Sequence, residues 1–258
     1  MPRLAANLSM MFAEMPFPER FQAAADAGFE AVEFLFPYDW PAEDIARWRE
    51  AAGVEIVLFN LPPGAWEAGD RGLAALPDRQ AEFRQSVSTA IGYAKALGTP
   101  RLHVMAGIAS AQDPSRRAAY LDNLRFASER AEQDGIVLLI EPLNPRDMPG
   151  YFLSGFDLAA ELLDELQCGN VRLQFDIYHR QILCGDVLTG LAGMMPRIGH
   201  VQIAAVPSRA EPGSGELDDF RILRRLDEMG YEGFVGCEYR PAGSTADGLG
   251  WIDRWCGA

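Results

Sequence analysis

The chain has 258 residues, 48% of them hydrophobic and 23% charged, a balance that supplies a large apolar core and excludes a disordered protein. Its 37 acidic residues against 23 basic ones leave a formal net charge of -14. The averaged surface therefore repels nucleic acid and anionic membranes, and an anionic ligand must meet locally placed cations. The apolar start at residues 4–8 is too short for a signal peptide or a membrane span, so the cytoplasm is the expected location.

From the N-terminus onward, apolar and β-branched runs of strand length recur at residues 4–8, 31–35, 54–59, 101–105, 136–140, 171–175, 200–204 and 234–237. Stretches with helical periodicity lie between them. Residues 18–27 place Phe21, Ala24 and Ala25 on one stripe and run into Gly28. Residues 41–51, 80–96, 115–133, 157–166 and 217–229 run in the same way into Gly53, Gly98, Gly135, Gly169 and Gly230. Glycine is the residue best suited to the left-handed turn that ends a helix. Eight repeats of strand and helix predict an α/β fold, a single (β/α)8 TIM barrel formed by residues 1–258 as one domain. The Pro- and Gly-rich stretches at residues 61–77 and 209–215 follow strands, which makes them loops of the catalytic face rather than linkers.

Cys168, Cys184, Cys237 and Cys256 show neither a C-x-x-C pair nor Cys/His spacing and read as reduced thiols. Cys237 ends the apolar run Phe234-Val235-Gly236-Cys237 and reads as core packing rather than as a nucleophile. Phosphate-binding, dinucleotide-binding and serine-hydrolase motifs are missing from the sequence.

Polar residues interrupt or end the last four strands. Glu141 follows Ile136-Val137-Leu138-Leu139-Ile140, Asp176 follows Val171-Arg172-Leu173-Gln174-Phe175, Gln202 lies inside His200-Val201-Gln202-Ile203, and Glu238 follows Cys237. Consecutive strands of a parallel barrel are neighbours, so these four side chains converge at its mouth. Three carboxylates in one place repel and take up protons unless a cation sits among them. An all-oxygen set, Glu141, Asp176, Gln202 and Glu238, favours Mg²⁺ or Mn²⁺ as one divalent cofactor. Taken singly, each acid also suits a helix cap; four on successive strands favour the metal.

His179, three residues past Asp176, is expected to contact substrate. Arg209, in the loop after Gln202, is the natural partner of a substrate carboxylate in so acidic a chain, because its planar fork binds two oxygens at once. His103, on the fourth strand, fits the mouth and the barrel wall equally well, and His200 is expected to pack or hydrogen-bond within its strand.

The sequence resembles the hydroxypyruvate isomerase family, within the wider xylose-isomerase-like barrels that include ketose 3-epimerases. The carriers are Phe59-Asn60-Leu61-Pro62-Pro63-Gly64, His103-Val104-Met105-Ala106-Gly107, Ile140-Glu141-Pro142-Leu143-Asn144, Asp176-Ile177-Tyr178-His179, His200-Val201-Gln202, Glu211-Pro212-Gly213-Ser214-Gly215-Glu216-Leu217 and Cys237-Glu238-Tyr239. The resemblance implies that Glu141 and Glu238 are the catalytic pair and metal ligands, that Asp176 and Gln202 complete the ligand set, and that His179 and Arg209 contact substrate oxygens.

The reaction it implies is aldose–ketose isomerisation of hydroxypyruvate to tartronate semialdehyde through an ene-diolate, in which one glutamate removes a proton and the other returns one. A 2-oxo-tetronate is the alternative substrate, followed by a ketose; Gln202, where ketose epimerases carry histidine, speaks against the last. A non-catalytic sugar-acid-binding barrel is the reading from another class, and a homo-oligomer is expected by analogy alone.

Overall fold

The computed structural model describes residues 2–256; Met1, Gly257 and Ala258, and the side chains of Arg254, Trp255 and Cys256, lie outside the described residues. Eight strands, β1 (Arg3–Asn7), β2 (Ala31–Phe34), β3 (Glu55–Asn60), β4 (Arg101–His103), β5 (Val137–Ile140), β6 (Val171–Asp176), β7 (Ile198–Ile203) and β8 (Phe234–Cys237), form a closed barrel in sequence order. Every neighbouring pair is parallel, including β8 with β1. The single-barrel reading of the sequence holds. No helix among the described residues is long and apolar enough to cross a membrane.

The helices are α1 (Phe17–Asp26), α2 (Ala42–Ala52), α3 (Gln80–Leu97), α4 (Pro114–Glu132), α5 (Phe156–Leu166), α6 (Ile177–Leu183), α7 (Val187–Met194), α8 (Asp219–Glu228), α9 (Thr245–Gly248) and α10 (Gly250–Cys256). Gly53 and Gly98 cap α2 and α3 in the left-handed region, as the sequence predicts. At α5 the left-handed cap is Gln167, with φ 53°, and Gly169 is not the residue that turns the chain. Helices α6 and α7, both between β6 and β7, are absent from the sequence reading, as are α9 and α10. Short helices with few turns show little periodicity to detect.

A small apolar cluster of Ala5, Ala31, Val57, Leu58, Leu139 and Phe234 is separate from the main core. Residues from β1, β2, β3, β5 and β8 can meet only inside the barrel. Side chains along a strand alternate in direction, so the inward positions continue two residues on, at Asn7, Glu33, Glu141 and Gly236, and four residues past Phe234 at Glu238. On β1, β2, β5 and β8 the apolar plug thus fixes by parity which side chains face the mouth, whereas β3, which supplies the consecutive Val57 and Leu58, shifts register against β2 at that point. Cys237 falls on the other parity, is fully buried in the main core, and burial pushes its thiol up, as suits a packing residue.

Candidate active site

The mouth of the barrel opens into a cavity of about 890 Å³ lined by Asn60, His103, Glu141, Gln174, His179, Arg209 and Glu238, among others. Asp176 and Gln202, each 1% exposed, lie beneath this lining. They are direct register partners across β6 and β7. The four sequence-predicted polar ends therefore do converge.

Asp176 has two jobs. Its Oδ1 accepts the Tyr178 N–H at 2.7 Å and so caps α6, whereas Oδ2 has no hydrogen-bond partner. Glu141 Oε1 is buried and unpartnered as well. Burial pushes the Glu141 carboxyl well above the usual carboxylate range, with Glu238 and Asp176 adding repulsion. Asp176 and Glu238 are raised by burial too, against the pull of Arg209.

His179 stands on the first turn of α6. Its Nδ1 accepts the Asn144 N–H at 3.0 Å, and its Nε2 lies 3.7 Å from Asp176 Oδ2. His103 faces the mouth, with Nε2 3.7 Å from Glu141 Oε2. Burial lowers both imidazoles to about 3, so both are neutral. Glu141, Asp176 and His179 each bring one ligand atom within 4.8 Å of the others, a buried group able to hold a metal ion. The two carboxylate oxygens without a protein partner, Glu141 Oε1 and Asp176 Oδ2, are hard donors of the kind a divalent cation takes.

Arg209 sits with φ 55°, a left-handed conformation unusual for arginine. Its N–H bonds the Ala205 carbonyl at 2.8 Å and its own carbonyl accepts the Arg240 N–H at 2.8 Å. So held, its Nη2 pairs with Glu238 Oε1 and lies 3.8 Å from Asp176 Oδ2, while Nη1 lies 3.8 Å from Asp147 Oδ2.

Below Glu238 is a layer that the sequence reading missed. Gln202 Nε2 donates to Glu238 Oε2 and to Glu33 Oε1, both at 2.7 Å, and its Oε1 accepts Gln174 Nε2 at 2.6 Å. His200 Nε2 meets Glu33 Oε2 at 2.7 Å, so this histidine bonds across the barrel rather than within its strand. Glu33 is fully buried in Ala31-Val32-Glu33-Phe34. An acid inside an apolar strand was the available signal, the same one that marks Gln202.

A model of the xylose isomerase-like TIM barrel matches residues 21–255. The chain belongs to that family. Among its xylose isomerase-like relatives, a 2-oxo-tetronate isomerase of Cupriavidus necator is 50% identical over the whole of both chains. The hydroxypyruvate isomerase of Escherichia coli is 42% identical over 99% of this chain and 100% of its own. A crystal structure from Brucella melitensis described as an AP endonuclease of family 2 is 47% identical, with a TM-score of 0.97 over 98% of this chain and 99% of that one. This xylose isomerase-like barrel is an enzyme of the isomerase class.

Proposed function

We propose that this isomerase shifts the carbonyl of a three- or four-carbon hydroxy-oxo acid to the adjacent hydroxyl-bearing carbon, one of Glu141 and Glu238 taking a proton from carbon and the other returning one. The observation that carries the reading is the pair itself: two buried glutamates, directly after β5 and β8, that line one cavity in a chain with full-length isomerase relatives. Hydroxypyruvate and a 2-oxo-tetronate are the two candidate acids, and the higher identity to the 2-oxo-tetronate isomerase favours the four-carbon one.

For hydroxypyruvate, one glutamate takes a proton from the hydroxymethyl carbon, an ene-diolate forms between the two oxygenated carbons, and the other glutamate delivers a proton to the former carbonyl carbon. The hydroxyl proton passes to the neighbouring oxygen, leaving an aldehyde. No atom is gained or lost. Glu238 is aligned for this by Gln202, Asn7 and Arg209, which satisfy its oxygens, whereas Glu141 keeps one oxygen free.

Glu141, Asp176, Gln202 and Glu238 would hold one Mg²⁺ or Mn²⁺, which when bound draws charge from a carbonyl and stabilises a developing oxyanion. Glu33 and Glu238 take the Gln202 amide N–H groups and Gln174 donates to its amide oxygen, so that oxygen has one remaining lone pair to offer a cation. His179 accepts at Nδ1, so its neutral ring carries the proton on Nε2 and acts as a donor to a substrate oxygen. His103, on the Glu141 side, and Arg209, on the Glu238 side, flank the same reacting carbons. A net charge of -14 disfavours a polyanionic substrate such as DNA.

The test is to strip the protein with chelator, restore Mn²⁺ or Mg²⁺, and compare rates on hydroxypyruvate, 2-oxo-tetronates and free ketoses for the native chain, Glu141→Gln and Glu238→Gln. Turnover of one acid that needs the ion and both glutamates is the expected result. Equal rates in the glutamine variants would overturn the reading.

A further inference from the structure

A carboxylate substrate needs a cation, and Arg209 is already surrounded by Glu238, Asp176 and Asp147. Three other arginines line the same cavity, Arg71, Arg146 and Arg240. Arg146 and Arg240 are exposed, and among the described residues no side-chain contact fixes either guanidinium.

Arg71 is different. Its Nη1 donates to the carbonyls of Trp66 at 2.9 Å and Asp70 at 2.6 Å, and its guanidinium lies 3.9 Å over the Trp66 ring. Trp66 in turn packs against Phe36 at 5.2 Å between ring centroids. The adjacent carboxylate of Asp70 is taken by Arg79 at 2.8 Å and by the Ala65 N–H at 2.7 Å. Arg71 has no ion-pair partner among the described residues, and the Nε and Nη2 edge of its fork is not used by the protein. That edge presents two parallel N–H groups, the pattern that matches both oxygens of a carboxylate.

The segment carrying Arg71 is seated firmly. Gly72 bridges to Ala106 just past β4, and the Ala75 N–H bonds the Ala106 carbonyl at 2.7 Å. A side chain at Gly72, whose φ is 109°, would stand 2.3 Å from the Met105 carbonyl oxygen, so the close approach requires glycine. The cation is thus fixed in place before any ligand arrives, which lowers the ordering cost of binding.

We propose that Arg71, stacked on Trp66, binds the substrate carboxylate and selects hydroxy-oxo acids over neutral ketoses. This rests on the small-acid reading above. Arg209 then remains with Glu238 at the reacting end, and the acid group is held at the opposite side of the cleft by the β3–α3 loop.

The test measures kcat and KM of the metal-loaded enzyme for hydroxypyruvate, a 2-oxo-tetronate and a neutral ketose in the native chain, Arg71→Met, Arg71→Lys, Arg146→Met and Arg240→Met. Arg71→Met is expected to raise KM for the acid by roughly tenfold or more with kcat within about threefold, and to leave any rate on the ketose unchanged. Arg71→Lys should fall between, because it keeps the charge and loses the fork. An unchanged acid KM in both Arg71 variants, or a rise confined to Arg146→Met or Arg240→Met, would overturn the proposal. Absence of acid turnover by the native chain would instead defeat the small-acid reading itself. Melting temperature identifies a variant that fails through folding, and Arg71→Lys then decides.

Discussion

Glu33 and Glu238 share two hydrogen-bond donors: Gln202 Nε2 lies 2.7 Å from an oxygen of each, and Asn7 Nδ2 lies 3.0 Å from Glu33 and 3.2 Å from Glu238. Two amides thus clamp a fully buried carboxylate to one at the mouth. Removing Glu33 strands His200, Gln202 and Asn7 together. Glu33→Ala is expected to cost about 3 kcal/mol in chemical denaturation. Gly236→Ala should act through the same clamp, since its added carbon would lie 2.3 Å from Glu33 Oε2. A denaturation midpoint unchanged in both variants would show that the clamp contributes nothing.

Metal loading should release protons. Burial raises the carboxyls of Glu141, Asp176 and Glu238, so near neutral pH the metal-free cluster retains protons that ligation must displace. Affinity is therefore expected to fall as pH falls. Titrating Mn²⁺ in two buffers of different ionisation enthalpy should give heats that differ by on the order of one proton per ion. Identical heats would contradict the raised carboxyls.

Arg209 tests alignment separately from backbone strain. Arg209→Met should lower kcat by on the order of 100-fold, because Glu238 loses its cation. Arg209→Gly loses the same group yet relieves the left-handed backbone, so it should be more stable than Arg209→Met by roughly 1 kcal/mol. Similar kcat values with reversed stabilities would argue against strain at φ 55°.

Much of this site was legible in the sequence for one reason: an acid at the end of an apolar strand is a strong signal when the strands are consecutive. Glu141, Asp176 and Glu238 carried it. Glu33 carried the related signal of an acid inside an apolar strand, but that strand lies far along the chain from the others, and only barrel closure brings β2 opposite β7. Arg71 was hidden within a long Pro- and Gly-rich loop, where charge is ordinarily solvated and periodicity says nothing. The α5 cap shows the limit of reading glycines as punctuation, since Gln167 takes the left-handed turn two residues before Gly169.

Asp219 offers a stability test remote from the carboxylate cluster. Its Oδ2 accepts the Gly213 N–H at 2.6 Å, fastening the β7–α8 loop, and Oδ1 is buried without a partner. Burial raises its carboxyl from 3.8 to about 6, with the Gly213 hydrogen bond pulling the other way. A raised folded value means that its contribution is fully present below about pH 4 and is lost as pH rises through about 6. Relative to Asp219→Asn, the native chain should lose about 3 kcal/mol across that window. Parallel stability profiles for the two proteins would count against it.

The most direct measurement of the central claim is the isomerisation of hydroxypyruvate and of a 2-oxo-tetronate by the metal-loaded enzyme in deuterated water, followed by NMR. Proton removal from carbon by one of Glu141 and Glu238 and return by the other predicts deuterium on the former carbonyl carbon of the product and none in Glu141→Gln or Glu238→Gln reactions. Product that retains the substrate hydrogen completely, or no turnover of either acid, would contradict it.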